Sequence, residues 1–465
     1  MNFFCNKVTD PAIRAKLDRI LTNVKSLAFP PLCLPNIHPK AGLESPPQFV
    51  AATRGTIVPQ LSAPAMNCGM SVFTTTLTKG DFSEDFLKKF AARLRAGVRP
   101  RKGKLKAALE WFGLGREERN NYDISKSELE DFFLHGAKAA VRKYNLRESE
   151  LDRMEYHGDV LGEQEKSKID FKSLVPRSSY INGRHEIGYN FGGNHFLEFH
   201  YVEEIKDTET ARAWGISQNQ ILMFYHGGGG HATYHLGRYF GRREKNTPSQ
   251  KFVLFFLKFI FHFGSRAGLK HFRERWCYYF SRRLFPEIPL NSEEGARLMQ
   301  SIKIALNYGY AFRAALLRRI KDALPKGDAS FLWDAAHNSI IEETVGDKNF
   351  IVHRQDATRV FPGKPVMLAG FNTVSYLGVG QEGASISLFS STPSAGKTIA
   401  KYKKEGLSKP DPGHPVLVSK RKEPKLKKEE GTTSEGLFAV TRELEEAGIV
   451  KSVAYIRPLG LIKGH

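Results

Sequence analysis

Cysteine is scarce in this chain: Cys5, Cys33, Cys68 and Cys277 stand far apart among 465 residues and form no CxxC pair. Such spacing gives no disulfide framework and leads us to expect a reducing, cytoplasmic setting, with thiols free for metal binding or packing. Long apolar runs are missing as well. The start, Met-Asn-Phe-Phe-Cys-Asn-Lys, has no apolar signal core. The longest candidate, Phe252 to Phe263, is twelve residues interrupted by Lys258 and His262. A membrane-spanning helix needs about 20 apolar residues, so a buried or partner-facing helix is expected instead. No repeat at solenoid periods is present. Acidic residues are outnumbered: 49 Asp and Glu against 70 Lys and Arg leave a net charge of +21. That balance favours an anionic partner, nucleic acid ahead of a membrane surface.

A hydrophobic content of 41% in 465 residues suffices for one large packed domain or two ordinary ones. Apolar residues at helical spacing predict an amphipathic helix over 10–28, with Ile13, Leu17, Ile20, Leu21 and Val24 on one face. Helices are also predicted over 83–96, 104–113 and 125–144, with Ser83 and Ser125 as caps and Glu128 completing a capping box. Residues 30–80 suit short strands and loops. Strands are predicted at 196–202, 220–225, 350–353, 365–368, 385–389 and 451–457, and helices near 328–345 and 434–447. Residues 232–325 read as an almost wholly helical, strongly basic stretch. There Arg238, Lys251, Arg273 and Arg275 interleave with Phe272, Trp276, Tyr278 and Tyr279, a mixture that suits phosphate contacts beside stacking platforms. The segment 401–430, rich in Lys and Pro, reads as a basic loop.

Four donors stand in patterns suited to a metal or phosphate site. His195 follows Gly192-Gly193-Asn194 and leads into a strand; His226 opens a run of four glycines; His337 lies in Asp334-Ala-Ala-His-Asn338, expected to be helical; Cys68 sits in Asn67-Cys68-Gly69. One thiolate and three imidazoles suit Zn²⁺, Mn²⁺ or Co²⁺ if they converge. Glycines beside His195 and His226 permit close backbone approach to an anion. His231 and His235, four apart, form a weaker pair without a third ligand. Ser394-Ala-Gly-Lys-Thr398 imitates the end of a nucleotide-binding P-loop, but Ser391 occupies the place of the required first glycine, so that reading is rejected.

Together these segments resemble the RtcB family of RNA-splicing ligases. The resemblance runs from Leu34-Pro-Asn-Ile-His-Pro-Lys40 to Arg457-Pro-Leu-Gly-Leu-Ile-Lys-Gly464. Its most specific pieces are Gly192-Gly-Asn-His-Phe-Leu-Glu198, Ala336-His-Asn338, His353-Arg-Gln-Asp-Ala-Thr-Arg359 and that C-terminus, with Asn307-Tyr-Gly-Tyr-Ala-Phe-Arg313 similar to a helical element of the family. The resemblance implies a mixed α/β (α+β) fold: a single domain over 1–465, sheets lining a metal centre, a basic helical insertion at 232–325 and a basic loop at 401–430. It implies an enzyme that joins RNA 2′,3′-cyclic-phosphate or 3′-phosphate ends to 5′-hydroxyl ends with GTP and Mn²⁺, through a histidine that carries GMP. Cys68 would bridge two metals, His195 would bind one and His226 with His337 the other. Asn194 would touch phosphate, and Glu198, Ser375 and Lys463 would hold the guanine base or lie beside it. Arg354, Arg359 and Lys397 are further candidate phosphate contacts.

The chain departs from that pattern at five places. Ala65 stands where the family has a metal-binding Asp, Asn36 where it has an Asp, and His226-Gly-Gly-Gly-Gly230 where it has His-Ser-Gly-Ser-Arg. Pro393-Ser-Ala-Gly-Lys397 stands where it has His-Gly-Ala-Gly-Arg, so Pro393 occupies the place of the nucleophile and Lys397 that of the arginine. A phosphoramidate needs a side-chain nitrogen, which Pro393 lacks. Three readings follow: a ligase with an impaired GMP step, a non-catalytic RNA- and GTP-binding relative, and a metal-dependent hydrolase of cyclic phosphates.

Overall fold

The computed structural model describes residues 8–96, 98, 122–241, 247–281, 283–420 and 425–464. The helix expected at 104–113 lies outside them. Local signals explain the first helices. Asp10 caps α1 (Pro11–Asn23) by accepting from the Ala12 and Ile13 amides, and Ile13, Leu17 and Ile20 are buried. Ser83 caps α2 (Glu84–Arg95). Ser125 and Glu128 form the expected reciprocal capping box at the start of α3 (Lys126–Lys143).

Two sheets make the centre. The smaller contains β1 (Leu32–Cys33) and β2 (Phe49–Thr53). The larger takes in β3 (Cys68–Thr78), β4 (Phe196–Ile205), β5 (Gln220–Gly228) and β6 (Ala329–Ala336). After one residue β6 continues as β7 (Asn338–Val345), which pairs with β8 (Lys348–Gln355) and so belongs to the small sheet, ordered β1-β2-β8-β7. The large sheet is completed by β9 (Pro365–Leu368), β10 (Ser375–Gly380), β11 (Pro410–Lys420), β12 (Lys427–Thr432) and β13 (Val450–Lys463). Its main order is β9-β10-β13-β4-β5-β3-β6, and β11 adds parallel to the end of β13. This is a mixed α+β architecture.

Ahead of β6 runs α4 (Glu293–Ala323), 31 residues and buried along most of its length. It packs on α3, α2 and β6. The expected basic insertion therefore does not extend over all of 232–325, because this last helix belongs to the core.

Three secondary-structure expectations fail for physical reasons. The helix expected near 328–345 is the β6–β7 pair: β6 is buried on both faces, so its apolar residues do not alternate and carry no strand period. The strand expected at 385–389 is a tight turn, with Leu388 and Phe389 at φ 53° and 47°. The basic loop at 401–430 instead contains the end of a helix, Gly396–Lys404, and the β11–β12 hairpin. Val416 and Val418 anchor that hairpin in the large-sheet core. Cys33 is buried and disulfide-bonded, against the expectation that the thiols are free; Cys68 and Cys277 are free. Among the described residues no helix is long and apolar enough to cross a membrane.

Candidate metal centre

Three backbone devices deliver Cys68. Asn67 takes a left-handed conformation, φ 49°, at the start of β3. Its carbonyl and side-chain oxygens accept from the Arg313 guanidinium at 3.1 and 2.9 Å, and Arg313 is itself paired with Asp334, 2.8 Å between Nη2 and Oδ2; both are wholly buried. Opposite Cys68 on β5 stands Gly228, where an added Cβ would lie 2.5 Å from the Asn67 carbonyl oxygen. A glycine there lets β3 and β5 close up enough for Cys68 to meet His226, two residues earlier on β5.

His337 is the single residue at which the chain leaves the large sheet for the small one. Its amide donates to the Cys68 carbonyl at 2.9 Å, and its own carbonyl accepts from the Ala357 amide at 2.8 Å. The residue is thus pinned from both sides without a helix. His195 sits in the turn just before β4.

These four side chains converge. Cys68 Sγ lies 3.4 Å from His195 Nε2 and 3.6 Å from His226 Nε2, and His226 Nε2 lies 3.0 Å from His337 Nε2. Donor atoms of Cys68, His226 and His337 fall within 4.8 Å of one another, and all three residues are buried. His195 extends the group on the Cys68 side. His226 Nδ1 is 3.1 Å from the Asn194 carbonyl oxygen, and His337 Nδ1 stands 3.1 Å from Asp356 Oδ1 as an ion pair without hydrogen-bond alignment. The acceptor at Nδ1 leaves Nε2 of His226 as the metal-facing lone pair, and the Asp356 carboxylate favours the same tautomer of His337. Gln48 holds the other Asp356 oxygen at 2.9 Å and also bonds Thr392, which ties the centre to the loop carrying Pro393.

Electrostatics favour an ionised thiol at the centre. Burial opposes ionisation of the Cys68 thiol, but His337, His195 and His226 together outweigh it and hold the group well below the usual thiol range. Burial likewise opposes a charged His337, yet Cys68 and Asp356 push it up to about 9, so a metal ion would have to displace that proton before Nε2 could bind it. Two imidazoles and a thiolate are a donor set that suits a divalent transition metal. Ala65 offers no further donor, and its carbonyl accepts the Cys68 amide at 3.5 Å.

A second cluster lies along β4. Glu198 is wholly buried, and burial pushes its carboxyl up to about 8, although the Asn372 amide and Lys463 pull the other way. The Asn372 amide donates to Glu198 Oε1 at 3.3 Å, while Oε2, 3.4 Å from His200 Nε2, has no hydrogen-bond donor. Ser375 Oγ accepts from the Gly370 amide at 2.9 Å and lies 3.2 Å from His200. Lys463 approaches Glu429 at 3.6 Å. Phe196 links the two clusters: its ring lies 5.6 Å from that of His226 and 4.8 Å from that of Phe371. A buried carboxyl with an unpartnered oxygen, beside an aromatic platform, can accept from the N–H edge of a purine.

The remaining candidates divide. Asn194 is exposed on the turn before His195, and Lys397 is exposed on the first turn of the Gly396–Lys404 helix. Arg359 is spent partly on Glu343, at 3.1 Å, and on the Tyr156 hydroxyl, at 3.0 Å. Arg354 has no exposure: its guanidinium bonds Glu343, Ser390 and the Leu388 carbonyl. It is an interior strut, because the strand alternation that places His353 against the backbone of Val58 sends Arg354 to the other buried face. His235 is satisfied by the Ala232 carbonyl and Ser301, which accounts for it without a metal. Pro393 contributes its carbonyl to the Ala369 amide, and Asn36 caps the following helix by accepting from the Thr398 amide at 2.8 Å. Sequence reasoning did not single out Asp356, Asp334 or Arg313 as site residues, although the motifs His353–Arg359 and Asn307–Arg313 contain two of them.

Comparison with known proteins agrees with this arrangement. Residues 21–464 match the family model described as tRNA-splicing ligase RtcB. A tRNA-splicing ligase RtcB of Pyrococcus horikoshii is 26% identical over 435 residues, covering 86% of this chain and 44% of the relative. That of Methanococcus maripaludis is 25% identical, covering 86% and 80%, and that of Thermococcus kodakarensis 25%, covering 97% and 92%. The chain spans less than half the length of the Pyrococcus relatives it matches. With a family match over nearly its whole length, and with Cys68, His226 and His337 gathered at one point, the chain belongs to the RtcB family.

Proposed function

We propose that this chain acts on RNA ends as a divergent RtcB-type protein, within one domain. It keeps a metal centre and a guanine pocket but is impaired in the histidine–GMP step by which 3′-phosphate or 2′,3′-cyclic-phosphate ends are joined to 5′-hydroxyl ends. The observation that carries this reading is the convergence of Cys68, His226 and His337; the resemblance adds Pro393 where the family has its nucleophile. A bound divalent ion would neutralise phosphate charge. Cys68, His226 and His337 would hold it, with His195 on the open side, and Asp356 would fix the imidazole of His337. Glu198 and Ser375 would orient guanine, with Phe196 and Phe371 flanking it; Asn194 and Lys397 would face phosphate. Without the carboxylate at position 65 the remaining donors are soft or borderline, so Zn²⁺ or Co²⁺ should bind more tightly than Mn²⁺. Partners are RNA ends, tRNA-like or broken, and the setting is the cytoplasm.

Intact-mass spectrometry after incubation with GTP and Mn²⁺ tests the reading. The wild-type chain is expected to carry no acid-labile GMP adduct while still binding GTP and 3′-phosphorylated RNA. An adduct on wild type removes the impairment, and failure to bind either ligand removes the family activity altogether. The double variant Ala65→Asp with Pro393→His is expected to regain labelling.

One observation favours a second reading. Three donors gather at the centre, and an ion held by them alone would keep a fourth position for water with His195 standing off it. Metal-dependent, nucleotide-independent opening of RNA cyclic phosphates would identify the chain as a hydrolase.

A further inference from the structure

The helix Pro248–Phe263 is apolar on both its inner and its outer side. Leu257, Phe261 and Phe263 pack inward. Beside them Lys258 is buried, donating to the Gly241 and Tyr279 carbonyls at 3.1 and 2.8 Å, and buried His262 lies 2.8 Å from the Tyr239 carbonyl. Six further apolar residues face outward. Phe252, Val253, Phe255, Phe256, Phe259 and Ile260 are 38% to 67% exposed. At 100° per residue they occupy one arc of roughly 160°. The arc continues onto the next segment through the Phe255–Trp276 and Phe272–Trp276 ring contacts, where Leu269, Phe272 and Trp276 are also exposed. Nine large apolar side chains on one surface far exceed the isolated ones normal for a soluble face. Around them stand exposed Lys251, Lys270, Arg273 and Arg283.

We propose that this face docks on a membrane surface carrying anionic lipid. The rim is cationic and therefore selects an anionic partner. The centre offers no hydrogen-bonding group apart from the Trp276 indole, and includes Val253, Ile260 and Leu269, which cannot stack on bases; acyl chains suit it better than RNA does. A second copy would bring a like-charged rim against this one. The helix is about 24 Å long, fit to lie in the interfacial plane with its outer apolar side down and the exposed cations Lys251, Lys270 and Arg273 at the headgroups. It does not span the bilayer.

Flotation of the full chain with phosphatidylcholine vesicles, with and without phosphatidylserine, tests the proposal. Wild type is expected to float with the anionic vesicles, and brominated acyl chains are expected to quench tryptophan emission. The variant Phe252→Ser, Phe256→Ser, Ile260→Ser keeps every charge and alters only exposed positions. It is expected to lose about a hundredfold or more in partitioning, with oligouridylate binding unchanged. Lys251→Glu with Lys270→Glu provides an independent arm, expected to weaken binding by roughly tenfold or more. Three results overturn the proposal: flotation equal in wild type and triple-serine variant, which is charge attraction alone; loss of oligouridylate binding in that variant with flotation intact, which makes the face an RNA platform; and a dimer in sedimentation velocity that the variant abolishes while vesicles have no effect.

Discussion

Asp356 touches His337 and nothing that would react, yet it sets which nitrogen of that ring is free. Asp356→Asn is expected to lower metal affinity about 10–100-fold, measured by competition with a chromophoric chelator. Unchanged affinity would show that His337 is oriented by its backbone alone. Glu198 makes a prediction of the opposite kind. Burial raises its folded-state carboxyl from the usual 4.5 to about 8, so the folded chain holds a proton that the unfolded chain releases. Between those values the unfolded state binds fewer protons, and stability falls as pH rises through the interval, with the group's full contribution present only below about 4.5. Glu198→Gln stays neutral throughout. Its stability relative to wild type should therefore grow from pH 5 to pH 8 in thermal melts, and a pH-independent difference would contradict a neutral Glu198.

At the level of elements, the site depends on α4 as much as on the strands that carry it. Arg313 reaches from that helix to Asp334 on β6 and to Asn67 beside Cys68, with no exposure to solvent. Removing one partner of a buried ion pair strands the other, a cost of about 3–5 kcal/mol. Arg313→Met should show that loss in urea unfolding and should also weaken metal binding, since the Asn67 turn loses two of its donors. A variant that unfolds normally but binds no metal would confine Arg313 to positioning. The role was hidden in the sequence because a buried arginine inside a helix looks like any solvated one; only its partner on another element reveals it. The β6–β7 junction was hidden for a related reason. A strand covered on both faces has no alternation to read, so His337 was expected on a helix although its ligand role was legible from the residues around it.

Across the whole molecule, the charge of +21 should dominate RNA affinity. Binding of 3′-phosphorylated RNA is expected to weaken steeply with salt, the logarithm of the association constant falling linearly with that of salt concentration, as counterion release requires. A flat response in a fluorescence-polarisation titration would place recognition in the pocket alone.

How much could be read in advance follows residue type. The four metal-suited donors and the Ser83 and Ser125 caps were legible because each depends on what an atom is or on neighbours a few positions away. Arg354 misled for the converse reason: guanidinium chemistry is visible in a sequence, and the direction in which it points is not. The sequence by itself determined the donor inventory, the basic charge and the proline at position 393, since these are covalent facts. Tertiary structure alone decided that Cys68, His226 and His337 share one point, that Arg354 lies in the interior, and that the Phe252–Ile260 face turns outward, because each is settled by strand pairing and packing between segments tens to hundreds of residues apart.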